Sequence, residues 1–122
     1  MKKKSLWLMT ALFTALSTQA FAGHDDDLRL IAAASKNAVT VAQAAKLPDD
    51  TAVTVTGTIV RQIKHEHYEI KDGTGVISVE IDDDLATPSQ LKKGTKIRVM
   101  GEVDTHRYKP TDIEAVKVEF VR

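Results

Sequence analysis

His67-Tyr68-Glu69-Ile70-Lys71-Asp72-Gly73-Thr74-Gly75-Val76-Ile77-Ser78-Val79-Glu80-Ile81-Asp82 reads as two strands joined by a turn. Apolar and polar residues alternate with period two on both sides of the glycines, which is the pattern of a strand with one buried face. Tyr68 and Ile70 point inward from the first strand, His67–Lys71, and Ile77, Val79 and Ile81 from the second, Val76–Asp82. Asp72-Gly73-Thr74-Gly75 is a strong turn signal, because glycine and aspartate tolerate the tight backbone a hairpin needs.

The same period extends outward from this hairpin. Upstream, Ala52–Arg61 predicts a strand with Val53, Val55 and Ile59 inward around Gly57. Downstream, Asp82–Lys93 is a polar connection with Pro88 and room for one helical turn at Ser89–Lys92. Thr95–Asp104 predicts a strand with Ile97 and Val99 inward and Gly101 interrupting. Thr105–Thr111 is a loop closed by Pro110, and Ile113–Val121 is a last strand with Val116, Val118 and Phe120 on one face. Five strands left as an open sheet would expose aggregation-prone edges, so closure is expected. Gly57 and Gly101 sit mid-strand, where a missing side chain permits a bulge or sharp coil. The predicted class is all-β: a five-stranded Greek-key barrel of the OB-fold type, preceded by one or two short N-terminal helices.

The helices come from residues 23–50. His24-Asp25-Asp26-Asp27 is an acidic start, and Leu28–Ala34 has good helix formers before Ser35-Lys36-Asn37, so 23–38 reads as an acidic, partly helical segment. Thr40-Val41-Ala42-Gln43 has the spacing of a capping box. Its helix should end by Ala45 or Lys46, since Pro48 disfavours a helical Leu47. The predicted domain then occupies 39–122. Residues 1–22 have the three parts of a secretory signal: Lys2-Lys3-Lys4, an apolar run from Leu6 to Leu16, and Ala20-Phe21-Ala22 before Gly23. That run is shorter than the roughly 20 apolar residues of a membrane span. Cleavage after Ala22 and a soluble, periplasmic product are expected.

The signal also alters the charge. The whole chain balances 17 Lys+Arg against 17 Asp+Glu; without Lys2, Lys3 and Lys4 it carries 14 against 17, a net of −3. With 43% hydrophobic and 28% charged residues it reads as an ordinary globular domain. The chain has no cysteine, which excludes thiol chemistry, a Cys-ligated metal and an iron–sulfur site.

Three stretches carry a resemblance to a known family. They are Asp49–Val60, Ile70–Asp82 and Val99-Met100-Gly101-Glu102-Val103-Asp104, together with Thr40, Val41, Ala44 and Leu47 of the short helix. In this order, over about residues 39–122, they resemble the bacterial OB-fold (BOF) family of periplasmic proteins, of the YgiW/YdeI stress-tolerance type. The resemblance implies a non-enzymatic domain, without a cofactor, linked to tolerance of envelope stresses such as oxidants, toxic metals or cationic peptides.

OB-folds usually bind ligands on the outer face of strands two and three. Alternation puts His65, His67, Glu69 and Lys71 there from one strand and Ser78, Glu80 and Asp82 from the next. Three acids against one lysine suit a cationic or small ligand, or the basic patch of an envelope protein. Binding of single-stranded nucleic acid needs a positive groove and aromatic platforms. Past residue 22 the aromatics are Tyr68, Tyr108 and Phe120, and two of these follow the core pattern. Nucleic acid is therefore a poor fit. A second reading takes His65 and His67, two apart on one strand, with His106 from the later loop, as ligands for zinc, copper or nickel. A third makes the chain a structural partner of another envelope protein. Asp82-Asp83-Asp84 lacks the glycine and spacing of a calcium loop and reads as a solvated turn, with Asp84 or Thr87 as a cap. No catalytic motif is present: no His-Glu-x-x-His, no phosphate loop, no nucleophile elbow.

Overall fold

The computed structural model describes residues 22–122, so the expected export signal, apart from Ala22, lies outside the described residues. Two helices, α1 (Ala22–Ser35) and α2 (Val41–Ala44), precede β1 (Ala52–Lys64), β2 (His67–Asp72), β3 (Gly75–Glu80), β4 (Lys96–Asp104) and β5 (Asp112–Phe120). The strands form a closed barrel in the order β1-β2-β3-β5-β4. Closure is possible because β1 is long enough to serve two neighbours. Residues Ala52–Thr58 pair with β4 and Thr58–Lys64 with β2. The last seam is a short parallel pairing of Ser78, Val79 and Glu80 with Asp112, Ile113 and Glu114.

The period-two reading of the core holds in β1 to β4. Val53, Val55, Ile59, Tyr68, Ile70, Ile77, Val79, Ile81, Ile97 and Val99 are all buried. It fails in β5, where Ile113 and Ala115 are buried while Phe120 is 45% exposed. The reason is a register shift. Met100 pairs with Lys117 but Gly101 with Ala115, so Val116 is left over as a bulge and the inward parity reverses there. Val118, beyond the bulge, packs on the core as expected. Gly101 permits this approach, since a Cβ there would collide with the Glu114 carbonyl oxygen and lie 2.9 Å from Ala115 Cα.

The N-terminal segment covers the part of β1 that β2 does not reach. The Thr54 hydroxyl donates to the Ala34 carbonyl (2.7 Å), and Ala34 is fully buried. Residues beyond α1 add a parallel bridge, with Val39 N–H donating to Thr54 O and Thr54 N–H to Asn37 O (both 3.0 Å). α1 begins earlier than its apolar residues alone predict, taking Asp25 into its first turn, where an acid suits the helix dipole. α2 has the expected capping box between Thr40 and Gln43. Its Val41 N–H donates to Asp72 (2.9 Å), whose carboxylate also accepts from Thr74 and Gly75 in the β2–β3 turn. The Thr74 hydroxyl first, then the Val41 N–H, hold the Asp72 carboxyl below its ordinary range. That network seats α2 on the barrel end, with Val41 and Ala44 in the core.

Candidate functional site

Alternation on β2 and β3 places His67, Glu69, Ser78 and Glu80 together on the outer face, with His67 opposite Glu80 and Glu69 opposite Ser78. Lys71 lies on the same face at the far end, opposite Val76. Two residues expected here are elsewhere. His65 occupies the β1–β2 turn, because β1 continues to Lys64 and pairs with His67. Glu66 adopts a left-handed backbone there (φ 63°), which ends the strand alternation that would have aligned His65 with His67. Asp82 lies past the end of β3 and lines a depression with Asp27, Asp84, Leu85, Ala115 and Val116.

The Thr105–Thr111 loop walls this face. A groove of about 460 Å³ is lined by Ala45, Glu69, Val76, Ile77, Ser78, Pro110 and Thr111. A smaller one of about 150 Å³ runs beside Ile63, Lys64, His67, Ser78, Lys109, Pro110 and Asp112. In the β2–β3 strip Glu69 has a cationic partner. Arg61 Nε donates to Glu69 (3.3 Å), and His67 Nε2 is 3.8 Å from Glu80.

The strongest electrostatic feature lies one strand further round. Glu80 is in register with Glu114, and Glu114 with Glu102, so three carboxylates cross β3, β5 and β4 in one outward row. Asp112, buried and in contact with His106, faces Asp104 in the next pair. Like charges directly opposite on paired strands are destabilising. Burial, then Asp50, Asp49, Asp104 and Asp27, push the Glu102 carboxyl above its ordinary value. Burial, then Glu80, Asp104, Glu102 and Asp112, do the same to Glu114. The neighbouring charges that contribute most to both shifts are all negative. Alternation marks Glu102 and Asp104 as outward on β4, but on β5 it groups Glu114 with Val116 on the expected inward face, and only the Val116 bulge turns it outward. Their convergence depends on the parallel β3–β5 seam, which joins residues more than 30 positions apart and has no local signal.

The three histidines taken as a metal set do not converge. His106 Nε2 sits between Asp112 (3.1 Å) and Asp104 (3.6 Å), over the acidic row. His65 Nε2 contacts Asp83 (2.8 Å), beyond the end of β3. His67 Nδ1 contacts the His65 carbonyl oxygen (2.9 Å). Among the described residues, donor atoms able to surround one ion occur as His65, Glu66 and Asp83, and as Asp104, His106 and Asp112. His67 belongs to neither.

Around His65, Glu66 does not point away as strand geometry would have it. Its carboxylate accepts the Asp83 N–H (2.8 Å) and its carbonyl the Ile81 N–H (2.7 Å). The hydrogen bond to Asp83, then the charges of Asp83 and Glu66, raise the His65 imidazole above its ordinary value. Next to this turn on β2 is Tyr68, fully buried; burial first, then the charges of Asp83 and Glu66, push its phenol up.

Comparison with known proteins agrees with this architecture. Residues 22–120 match the profile of a family described as Bacterial OB fold (BOF) protein. The chain is 40% identical over 86 residues to the calcium-regulated OB-fold protein CarO of Pseudomonas aeruginosa, covering 70% of this chain and 74% of that one. It is 26% identical over 121 residues to an uncharacterised protein of Haemophilus influenzae, covering 98% of each. The solved structure of YgiW from Escherichia coli superposes with a TM-score of 0.64 at 32% identity, covering 71% of this chain and 92% of that one.

Proposed function

The chain belongs to the bacterial OB-fold (BOF) family, and from that premise we propose that it is an exported, non-enzymatic binding module of the cell envelope. It takes a cationic ligand, a basic peptide or the basic segment of a protein partner, on the outer face of β3, β5 and β4. The observation that carries this reading is the row Glu80–Glu114–Glu102, in which carboxylates oppose one another with no cation set between them in register. A basic ligand relieves that repulsion on binding, so the cost held in the free protein returns as affinity. Asp104 extends the row, and the neighbouring grooves add Glu69, His67 and Ser78.

The same charges disfavour nucleic acid, whose phosphates need a basic surface. Tyr108, 92% exposed at the loop tip, is a lone aromatic rather than a stacking platform. Catalysis finds little support: the barrel interior is filled with Val and Ile, and Glu69 is the one titratable residue lining the larger groove. Export rests on the signal pattern of residues 1–22, and a role in envelope stress tolerance on the family resemblance. Among the described residues no helix is long and apolar enough to cross a membrane.

Calorimetric titration with tetralysine at low and high salt tests the reading. Saturable binding that weakens about tenfold between 25 and 250 mM salt is expected for a charge-driven contact. Tetraglutamate should give no heat. Absence of binding to tetralysine, or binding indifferent to salt, overturns the proposal.

A further inference from the structure

We propose that the β1–β2 turn and the segment after β3 form a divalent transition-metal site, with His65, Glu66 and Asp83 as ligands and the Tyr68 hydroxyl positioning the shell beneath them. This site lies just beyond the Glu80 end of the acidic row, shares no residue with it and does not depend on the peptide-binding reading.

The first ground is the donor set. His65, Glu66 and Asp83 each offer one donor atom, and these atoms lie within 4.8 Å of one another. Donors about 2.1 Å from a tetrahedral ion stand about 3.4 Å apart, so closure asks for adjustments near 1 Å. The His65 ring, 74% exposed, is free to make them. Two carboxylates neutralise a divalent cation, and the imidazole selects zinc-class ions over Ca²⁺ and Mg²⁺, which prefer all-oxygen shells.

The second ground is independent of that cluster. The side-chain oxygens Tyr68 Oη and Asp83 Oδ1 are buried and have no hydrogen-bond partner among the described residues. Buried polar atoms are rarely left unpaired, since burial without a partner forfeits their hydrogen bonds to water. Tyr68 is fully buried and follows His67 on β2, whose ring contacts the His65 carbonyl oxygen, so it lies directly beside the ligand-bearing turn. A bound ion gives Asp83 Oδ1 a partner, and water on that ion gives one to Tyr68. The other cluster differs here. Around His106, neither Asp104 nor Asp112 holds an orphaned buried oxygen among the described residues.

The turn backbone agrees with a functional side chain at Glu66. Its left-handed conformation (φ 63°) is one that glycine or asparagine adopts at lower cost. Glutamate in that place sends its carboxylate to the Asp83 N–H and ties the two ligand-bearing segments together.

The test is calorimetric titration of untagged, chelator-stripped protein with ZnCl₂, repeated with CoCl₂ to read coordination from its visible absorption. One equivalent with Kd on the order of 1 µM is expected for a three-ligand site. His65→Ala should weaken it about a hundredfold and Tyr68→Phe about tenfold, as loss of a ligand and of an outer-shell partner do. His106→Ala should leave it unchanged, and both His65→Ala and Tyr68→Phe should keep the wild-type melting temperature without metal. Binding weaker than about 100 µM overturns the site, since ligands that converge on zinc bind far tighter. So does undiminished affinity in His65→Ala, or loss of binding in His106→Ala.

Discussion

β4 and β5 pair along their whole length, yet the two halves of that ladder are charged by opposite rules. Beyond the Val116 bulge, Arg98 faces Glu119, with Arg98 Nη1 donating at 3.2 Å, and Lys117 approaches the same carboxylate at 3.6 Å. Before the bulge, Glu102 faces Glu114 and Asp104 faces Asp112. One pair of strands thus carries both the arrangement that suits a sheet and the one that opposes it. The barrel does not require carboxylates opposite carboxylates, since its other half does without them. The acid in the first half is a property of the surface rather than of the fold.

Gly101 stands at the junction, and its replacement should have the largest effect. Gly101→Ala drives a methyl group into the Glu114 backbone, so β5 must shift. A loss of about 3 kcal/mol in urea unfolding is expected for such overpacking. Gly73→Ala, with open space around its Cβ, should stay within about 0.5 kcal/mol as surface changes do. Equal losses at the two positions would refute the close approach at the bulge.

Glu114→Lys converts the acidic half to the paired kind, placing a cation beside both Glu80 and Glu102. It should raise stability by about 1 kcal/mol, the scale of cross-strand charge pairs, while abolishing tetralysine binding. Arg98→Glu performs the opposite conversion and should cost about 0.5 kcal/mol, because the pair is half-exposed and screened. Stability rising at one site and falling at the other is the signature of the contrast. If both fall together, packing rather than charge distinguishes the halves.

The smallest effect concerns pH. The Glu114 carboxyl is raised in the folded protein, so its ionisation disfavours folding. Its share of stability is complete below the ordinary glutamate range and is lost as pH rises through the folded value. Glu114→Gln should therefore be more stable than wild type near pH 7, by about 0.3 kcal/mol for one exposed carboxylate. The difference should vanish below about pH 4, where glutamate is protonated. Asp72, held low by its hydrogen bonds, acts in the reverse sense and loses its contribution as pH falls through the folded value. An advantage of Glu114→Gln that persists at low pH would assign the effect to something other than charge.

Much of this fold was legible because its signals are local. The Asp72–Gly75 turn, the alternation of β1 to β4 and the Thr40–Gln43 capping box depend on neighbours within a few positions. The inward face of β5 was not, because one extra residue at Val116 reverses parity and only the partner strand determines where it falls. The site divides in the same way. His67, Glu69, Ser78 and Glu80 follow from one hairpin. The meeting of Glu80 with Glu114, and of His65 with Asp83, joins distant segments. Strand alternation misplaces His65 because it does not hold through a turn with a left-handed residue at Glu66.

The central claim is that the acidic half of the β4–β5 ladder, with Glu80 of β3, receives a cationic ligand. Amide chemical shifts of ¹⁵N-labelled protein titrated with tetralysine locate the contact directly. The account predicts saturable shifts centred on Glu80, Glu102, Asp104, Asp112 and Glu114, reduced by salt and lost in Glu102→Gln/Glu114→Gln. Shifts centred instead on Arg98, Lys117 and Glu119, or unchanged in that double variant, would contradict it.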